Sequence, residues 1–274
     1  MMMDFSEVKL IVTDLDGTLL NSKHEISDVF FELFEQIKSE SILFVAASGR
    51  PYYSMVNKFA KIKDDIIIVS ENGGIAIKND ELFLSSPIAN DHFKEISELI
   101  KNIKDSHAVF CAKNQAYVLS DSILLLDLLK EYYPKYSLIS NASEIKEPIY
   151  KVALFHEESS ERFIYPHVKH IEDRFKVKVS ANHWVDISEN LANKGHAISL
   201  IQKKHTITPE ETMVFGDYNN DIEMLKLAKF SYAMENAHSN VKAVANFKTK
   251  SNNENGVEYI LKQMLNARQK VKTL

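Results

Sequence analysis

Asp14 and Asp16 stand two residues apart in the run Asp-Leu-Asp-Gly-Thr (14–18), and a second acidic pair, Asp217 and Asp221, lies in Gly-Asp-Tyr-Asn-Asn-Asp (216–221). Carboxylates that close repel each other unless one is protonated or a cation lies between them. An all-oxygen set of this kind suits Mg²⁺, a hard ion that keeps part of its water shell and needs few protein ligands. Two more clusters lie between the acidic pairs: Ala-Ser-Gly-Arg (47–50) and Asn-Lys-Gly (193–195). The Ser48 hydroxyl and the backbone around Gly49, just before a helix opened by Pro51, would make a cradle for an anion. Lys194 offers a compact positive charge for an anionic oxygen and for a nearby carboxylate. The chemistry these residue types permit is phosphoryl transfer.

A carboxylate attacks phosphorus only when the negative charge of the phosphate is screened and the attacking oxygen is held in line. Asp14 is the candidate nucleophile, forming an aspartyl-phosphate with Mg²⁺ reducing the repulsion between the two anions. The expected metal ligands are Asp14, Asp217 and the backbone carbonyl of Asp16, with Asp221 direct or one water away. The Asp16 side chain is then available to protonate the leaving oxygen and afterwards to deprotonate a water. General acid–base catalysis of this kind contributes about 10²- to 10⁴-fold.

Each cluster alone has an ordinary reading. Asp and Gly are common in turns, and Asn193 or Asp221 could merely start a helix. Arg50 is read as a structural salt-bridge residue ahead of a substrate ligand, and His107, His156 and His183 as strand or surface residues without metal spacing. Trp184 and the stripe Leu124, Leu125, Leu126, Leu128 and Leu129 are assigned to packing.

The elements that must position these residues follow from hydrophobic periodicity. The first third alternates strand and helix: strand 8–13, helix 26–39, strand 41–46, helix 51–60, strand 66–70. Such alternation argues for parallel strands joined by right-handed crossovers, with ligand residues at the carboxyl ends of the strands. A hairpin is expected at 75–77 and 82–84. Residues 86–188 read differently, as short paired strands at 107–112, 115–119, 150–155, 175–180 and 183–187. Helices are expected over 93–103, at 121–132 (ending before Pro134) and over 159–173. Strand–helix alternation returns with helix 195–204, strand 212–216, helix 220–227, strand 230–234 and helix 256–266. The fold class is therefore α/β, a Rossmann-like parallel-sheet core (1–85 and 189–274) carrying an inserted α+β domain (86–188).

Bulk properties narrow the function classes. A net charge of −5 over 274 residues disfavours a general polyanion binder, so no nucleic-acid partner is expected. Cys111 is the single cysteine, which excludes an internal disulfide and a multi-cysteine metal site and fits a reducing cytoplasm. No stretch has the roughly 18 apolar residues of a membrane span, and the chain is expected as a monomer or small homo-oligomer.

With these motifs in order, the chain resembles the haloacid dehalogenase superfamily of phosphatases, in its Cof-type branch. Glu-Asn-Gly-Gly (71–74), Met224, Met-Glu-Asn-Ala (234–237) and Asn-Asn-Glu-Asn-Gly-Val (252–257) add to the resemblance. It implies that Asp14 is the nucleophile and Asp16 the acid/base, that Ser48 and Lys194 are the hydroxyl and lysine motifs, and that Asp217 and Asp221 are the acidic motif. Asn193 matches a phosphate-contacting asparagine, and Asn220 matches the Asn-Asp pair of the acidic motif. Ser48 stands where the family also uses threonine. The implied activity is Mg²⁺-dependent hydrolysis of small phosphorylated metabolites, sugar phosphates or phosphorylated cofactors, under a closing cap. The same residues would also serve a phosphotransferase or sugar phosphomutase, or persist in a non-catalytic phosphometabolite sensor.

Overall fold

The computed structural model describes residues 4–133 and 135–272. Pro134, the expected helix stop, lies outside the described residues, as do Met1, Met2 and Met3.

The first strand, β1 (Leu10–Thr13), is buried at every position. A short apolar run without alternation is what a strand covered on both faces requires. It lies at the middle of an eight-stranded sheet with β2 (Leu43–Ala47), β3 (Ile67–Ser70), β4 (Ile75–Lys78) and β5 (Glu81–Ser85) on one side. On the other side lie β12 (Thr212–Gly216), β13 (Phe230–Ala233) and β14 (Phe247–Lys248). The strands run parallel from β14 through β1 to β3, and β4 and β5 close the edge as an antiparallel hairpin. Helix Asp28–Ser39 starts where Ser27 accepts a hydrogen bond from the Phe30 amide, satisfying an otherwise unpaired donor. It buries Phe30, Leu33, Phe34 and Ile37 against the sheet, with Phe34 edge-on to Phe44.

Between β5 and helix Lys194–His205 the chain builds a second, six-stranded sheet in the order β10-β11-β9-β6-β7-β8. Its strands are β6 (His107–Ala112), β7 (Ala116–Leu119), β8 (Tyr136–Leu138), β9 (Ile149–Phe155), β10 (Phe175–Ala181) and β11 (Trp184–Glu189). One face packs under Ile96, Ile100, Ile164 and Val168. The opposite face carries Val109, Cys111, Ala153 and Phe155, partly covered by Leu125 and Leu129 and by Tyr53 from the first sheet's unit. The leucine stripe divides accordingly: Leu125 and Leu129 are buried, while Leu124 is 46% exposed.

Two of the expected helices are broken up. The helix expected over 159–173 is broken into turns at Ser160–Phe163 and Tyr165–Val168 and a 3₁₀ turn at Lys169–Ile171. Pro166 is the reason: it lacks an N–H and its ring crowds the preceding turn, so it is tolerated only at a new helix start. The helix expected at 220–227 is a 3₁₀ turn, Asn219–Asp221, followed by Ile222–Leu225. That tight turn brings Asp221 back toward Asp217.

Candidate active site

The carboxyl ends of three adjacent strands converge. Asp14 follows β1, Ser48 follows β2 and Asp217 follows β12, and both neighbours pair directly with β1. Lys194 enters from the first residue of its helix, fully buried, and joins two carboxylates. Its Nζ is 2.5 Å from Asp14 Oδ1 and 2.7 Å from Asp221 Oδ1. The other Asp221 oxygen accepts the backbone N–H groups of Asp217 (2.9 Å) and Tyr218 (3.1 Å). Asp217 Oδ1 accepts the Thr18 hydroxyl at 2.9 Å. Each acidic side chain is thereby held in one rotation.

Burial, with repulsion from Asp221, pushes the Asp14 carboxyl well above the ordinary range, and Lys194 only partly opposes this. Burial and the same neighbour raise Asp217 to about 6. Burial works against the charge on Lys194, but Asp14 and Asp221 outweigh it and raise the ammonium's pKa. One lysine against three carboxylates leaves an excess of negative charge in a water-poor place. Carboxylate oxygens of Asp14, Asp217 and Asp221 lie within 4.8 Å of one another, a hard, all-oxygen donor set that fits Mg²⁺. The Asp16 carboxylate is outside that cluster, so its contribution to a metal would rest on its backbone carbonyl.

Asp16 has a different partner. Arg50 grips it in a two-pronged contact, Nε to Oδ2 at 2.7 Å and Nη2 to Oδ1 at 2.6 Å, with His24 Nδ1 3.4 Å from Oδ1. Burial favours the neutral acid, but the Arg50 hydrogen bonds and charge prevail, and the pKa of Asp16 falls below its usual value. The Arg50 salt bridge expected from sequence is therefore present, and its partner is the acid/base candidate.

The Ser48 hydroxyl accepts the Arg50 amide at 3.1 Å and is buried. Asn220 Nδ2 donates to Asn72 Oδ1 at 3.0 Å, and Asn72 lies against Gly49. Asn193 caps its helix, its Oδ1 accepting the His196 amide at 2.7 Å. Sequence reasoning placed Glu71 and Asn72 in the resemblance without giving them a role at the site, and it passed over Lys151. Glu71 and Asn72 both have positive φ, and buried Lys151, from β9, sits 2.9 Å from Glu71 Oε2 and 3.1 Å from the Gly49 carbonyl. The charged Lys151 inside the otherwise apolar strand Ile149–Phe155 was the available signal.

Gly17 has φ +80°, and an added Cβ would stand 2.3 Å from Asp217 Oδ2. Gly17→Ala should therefore displace the Asp217 carboxylate as well as strain the turn, a backbone cost of about 1–2 kcal/mol. The expected outcome is a lower melting temperature together with weaker binding of Mg²⁺, read by titration of the protein with the ion. A variant with wild-type Mg²⁺ affinity would show that Asp217 can move without consequence.

A parallel α/β sheet with a buried lysine bridging Asp14 at the end of β1 and Asp221 in the turn that follows β12, and a second sheet set into the chain between them, defines a class of hydrolase. The family model for haloacid dehalogenase-like hydrolases matches residues 11–261, and the chain belongs to that family, in its Cof-type phosphatase branch. It is 31% identical over 264 residues to 5-amino-6-(5-phospho-D-ribitylamino)uracil phosphatase YbjI of Escherichia coli, covering 94% of this chain and 96% of the relative. A protein of Bacillus subtilis with the same named activity, YwtE, is 27% identical, with 94% and 98% covered. Among solved structures, SMU.1108c from Streptococcus mutans superposes with a TM-score of 0.87 at 31% identity, covering 94% of this chain and 99% of that one. No helix among the described residues is long and apolar enough to cross a membrane.

Proposed function

We propose that this protein hydrolyses small phosphate monoesters in a Mg²⁺-dependent reaction through an aspartyl-phosphate on Asp14. The observation that carries the reading is the Lys194 ammonium shared between Asp14 and Asp221 at 2.5 and 2.7 Å. It fixes the Asp14 carboxylate and lowers its repulsion toward an incoming phosphate. Mg²⁺ held by Asp14, Asp217, the Asp16 carbonyl and, directly or through water, Asp221 would supply further charge screening for the phosphoryl oxygens. Ser48, the Gly49 backbone, Asn193, Lys194 and Asn220 would hold the phosphoryl group.

In the first step a carboxylate oxygen of Asp14 forms a bond to phosphorus as the bond from phosphorus to the ester oxygen breaks, and the departing oxygen takes a proton from Asp16. In the second, water gives a proton to Asp16 and its oxygen bonds phosphorus, releasing inorganic phosphate and restoring Asp14. A bidentate guanidinium favours the ionised carboxylate, so the Asp16 side chain must leave the Arg50 fork before it can act as an acid. Residues 86–188 serve as a cap that excludes water and meets the leaving group. Sugar phosphates and phosphorylated cofactors are the substrate class, and the activity named for YbjI and YwtE makes a phosphorylated ribitylamino-pyrimidine the first compound to assay. A reducing cytoplasm is the proposed setting.

Purified protein with Mg²⁺ should release phosphate from p-nitrophenyl phosphate and from members of a metabolite ester panel, and EDTA should abolish this. Absence of turnover across the panel sinks the proposal. The metal also has a thermal signature. A carboxyl whose folded pKa is raised favours the folded state as pH falls from about 6 toward 3.8, and at neutral pH its ionisation is a cost of folding. Mg²⁺ binds the ionised form, so its increment to the melting temperature should be full above about pH 7 and shrink as pH drops through about 6. A pH-independent increment would place the ion elsewhere.

A further inference from the structure

The face of the six-stranded sheet turned toward the first sheet carries a row of polar residues. Lys176 on β10 is directly opposite Ser188 on β11. The β9/β11 register, with Asp186 opposite Ala153 and Ile187 opposite Val152, continues to set Ser188 beside Lys151. One end of this row is tied to the phosphate loop, Lys151 Nζ to the Gly49 carbonyl at 3.1 Å. The other end is tied just ahead of the lysine helix, Lys176 Nζ to the Ala192 carbonyl at 3.3 Å. Gly49 follows Ser48, and Ala192 precedes Asn193 and Lys194, so the row spans the two walls that flank Asp14.

The charges in this strip do not balance. Lys151 is matched by Glu71 at 2.9 Å, with Asp186 at 3.8 Å. Lys178 lies directly opposite Asp186 in the sheet. Lys176 has no carboxylate within ion-pair distance among the described residues, and its hydrogen-bond partner is a neutral carbonyl. Burial, then Lys178 and Lys194, lower its pKa to about 8, and the opposing Glu223 is solvent-exposed. A half-buried cation without a counter-ion is costly to hold unless an anion arrives from outside. The phosphate itself already has Lys194 and the carboxylate-bound metal of the proposed reaction, so the unmatched charge is directed at another part of the substrate.

Resting on the proposed hydrolysis of phosphate monoesters, we propose that Lys176 is a specificity-determining residue that selects esters whose leaving group carries a second anion, a carboxylate or a second phosphate. Matched pairs test this directly. Sorbitol 6-phosphate and 6-phosphogluconate differ in a hydroxymethyl against a carboxylate at the far end of the same carbon chain, as glycerol 3-phosphate and 3-phosphoglycerate do at shorter length. Affinities are read by calorimetric titration of the full-length Asp14→Asn protein with Mg²⁺, whose expected turnover is too slow to consume the ester during the titration.

The acid should bind about tenfold or more tightly than the alcohol in at least one pair. Lys176→Met should remove that preference, Lys176→Glu should invert it, and Lys176→Arg should keep it. No preference at either length, or a preference that survives Lys176→Met, overturns the proposal, as does an equal loss of affinity for both members of a pair. Failure of the wild-type protein to hydrolyse p-nitrophenyl phosphate with Mg²⁺ would instead count against the hydrolytic reading, while the titrations still judge Lys176.

Discussion

Asp14→Asn should reduce turnover of every phosphate ester by about 10⁴-fold or more while leaving the protein folded. The amide keeps an oxygen for the Lys194 ammonium, which today lies 2.5 Å from Asp14 Oδ1, so the lysine need not move. What disappears is the anionic oxygen that bonds phosphorus in the proposed mechanism, and an amide is a far weaker nucleophile. The same change should raise the melting temperature in metal-free buffer. Burial and the neighbouring Asp221 both act against the ionised form of Asp14, and Lys194 retains Asp221 as its partner at 2.7 Å. For a chain of this size each kcal/mol of repulsion relieved corresponds to about 2–4 °C. Residual activity within tenfold of wild type would remove Asp14 from the nucleophile's role. A fall in melting temperature would mean that its pairing with Lys194 outweighs the repulsion from Asp221.

Lys194→Met should have the second large effect, this time on stability as well as rate. The side chain has no exposed surface and bridges two carboxylates that are themselves almost fully buried. Removing one partner from a buried ion pair costs about 3–5 kcal/mol, because the remaining charge is left without compensation. Asp14, whose ionised form burial already disfavours, would lose the opposing charge of Lys194 and take up a proton more readily, so the loss should be greatest above neutral pH and smaller in acid. Activity should fall by about 10²- to 10³-fold or more, the range found when a preorganised electrostatic contact to the reacting group is deleted. The double variant Lys194→Met, Asp221→Asn separates the two effects. It should regain a large part of the stability and none of the activity, since among the described residues the Asp221 oxygens otherwise accept the backbone amides of Asp217 and Tyr218, which need no charge on residue 221. Thermal denaturation across pH, alongside phosphate release, reads both. Unchanged stability in the single variant would show that the buried bridge contributes nothing to the fold.

Local chemistry made much of this protein readable before any coordinates. The unalternating apolar run of β1, the Asp-Leu-Asp-Gly-Thr turn after it and Pro51 ahead of a helix each act over a few residues, so their consequences are written in adjacent positions. The parallel alternation of strands and helices likewise follows from periodicity and places Asp14, Ser48 and Asp217 at strand ends on one side of the sheet. A helix over 159–173 looked as plausible as its neighbours by apolar spacing, and the single ring of Pro166 overruled it. Breakers act at one position, whereas periodicity is summed over many.

What tertiary structure alone decided is which charges meet. Nothing in the spacing of Asp16 and Arg50 says that the guanidinium grips the acid/base candidate at 2.6 and 2.7 Å instead of turning to solvent. Nor does the sequence say that Lys151, more than a hundred positions from Ser48, sends its ammonium into the loop that follows that serine, or that Lys176 is left beside a neutral carbonyl. A side chain's hydrophobicity and backbone preference belong to the residue, and they fix elements locally. Electrostatic pairing depends on distance and burial, and those exist only once strands remote in the chain are laid side by side.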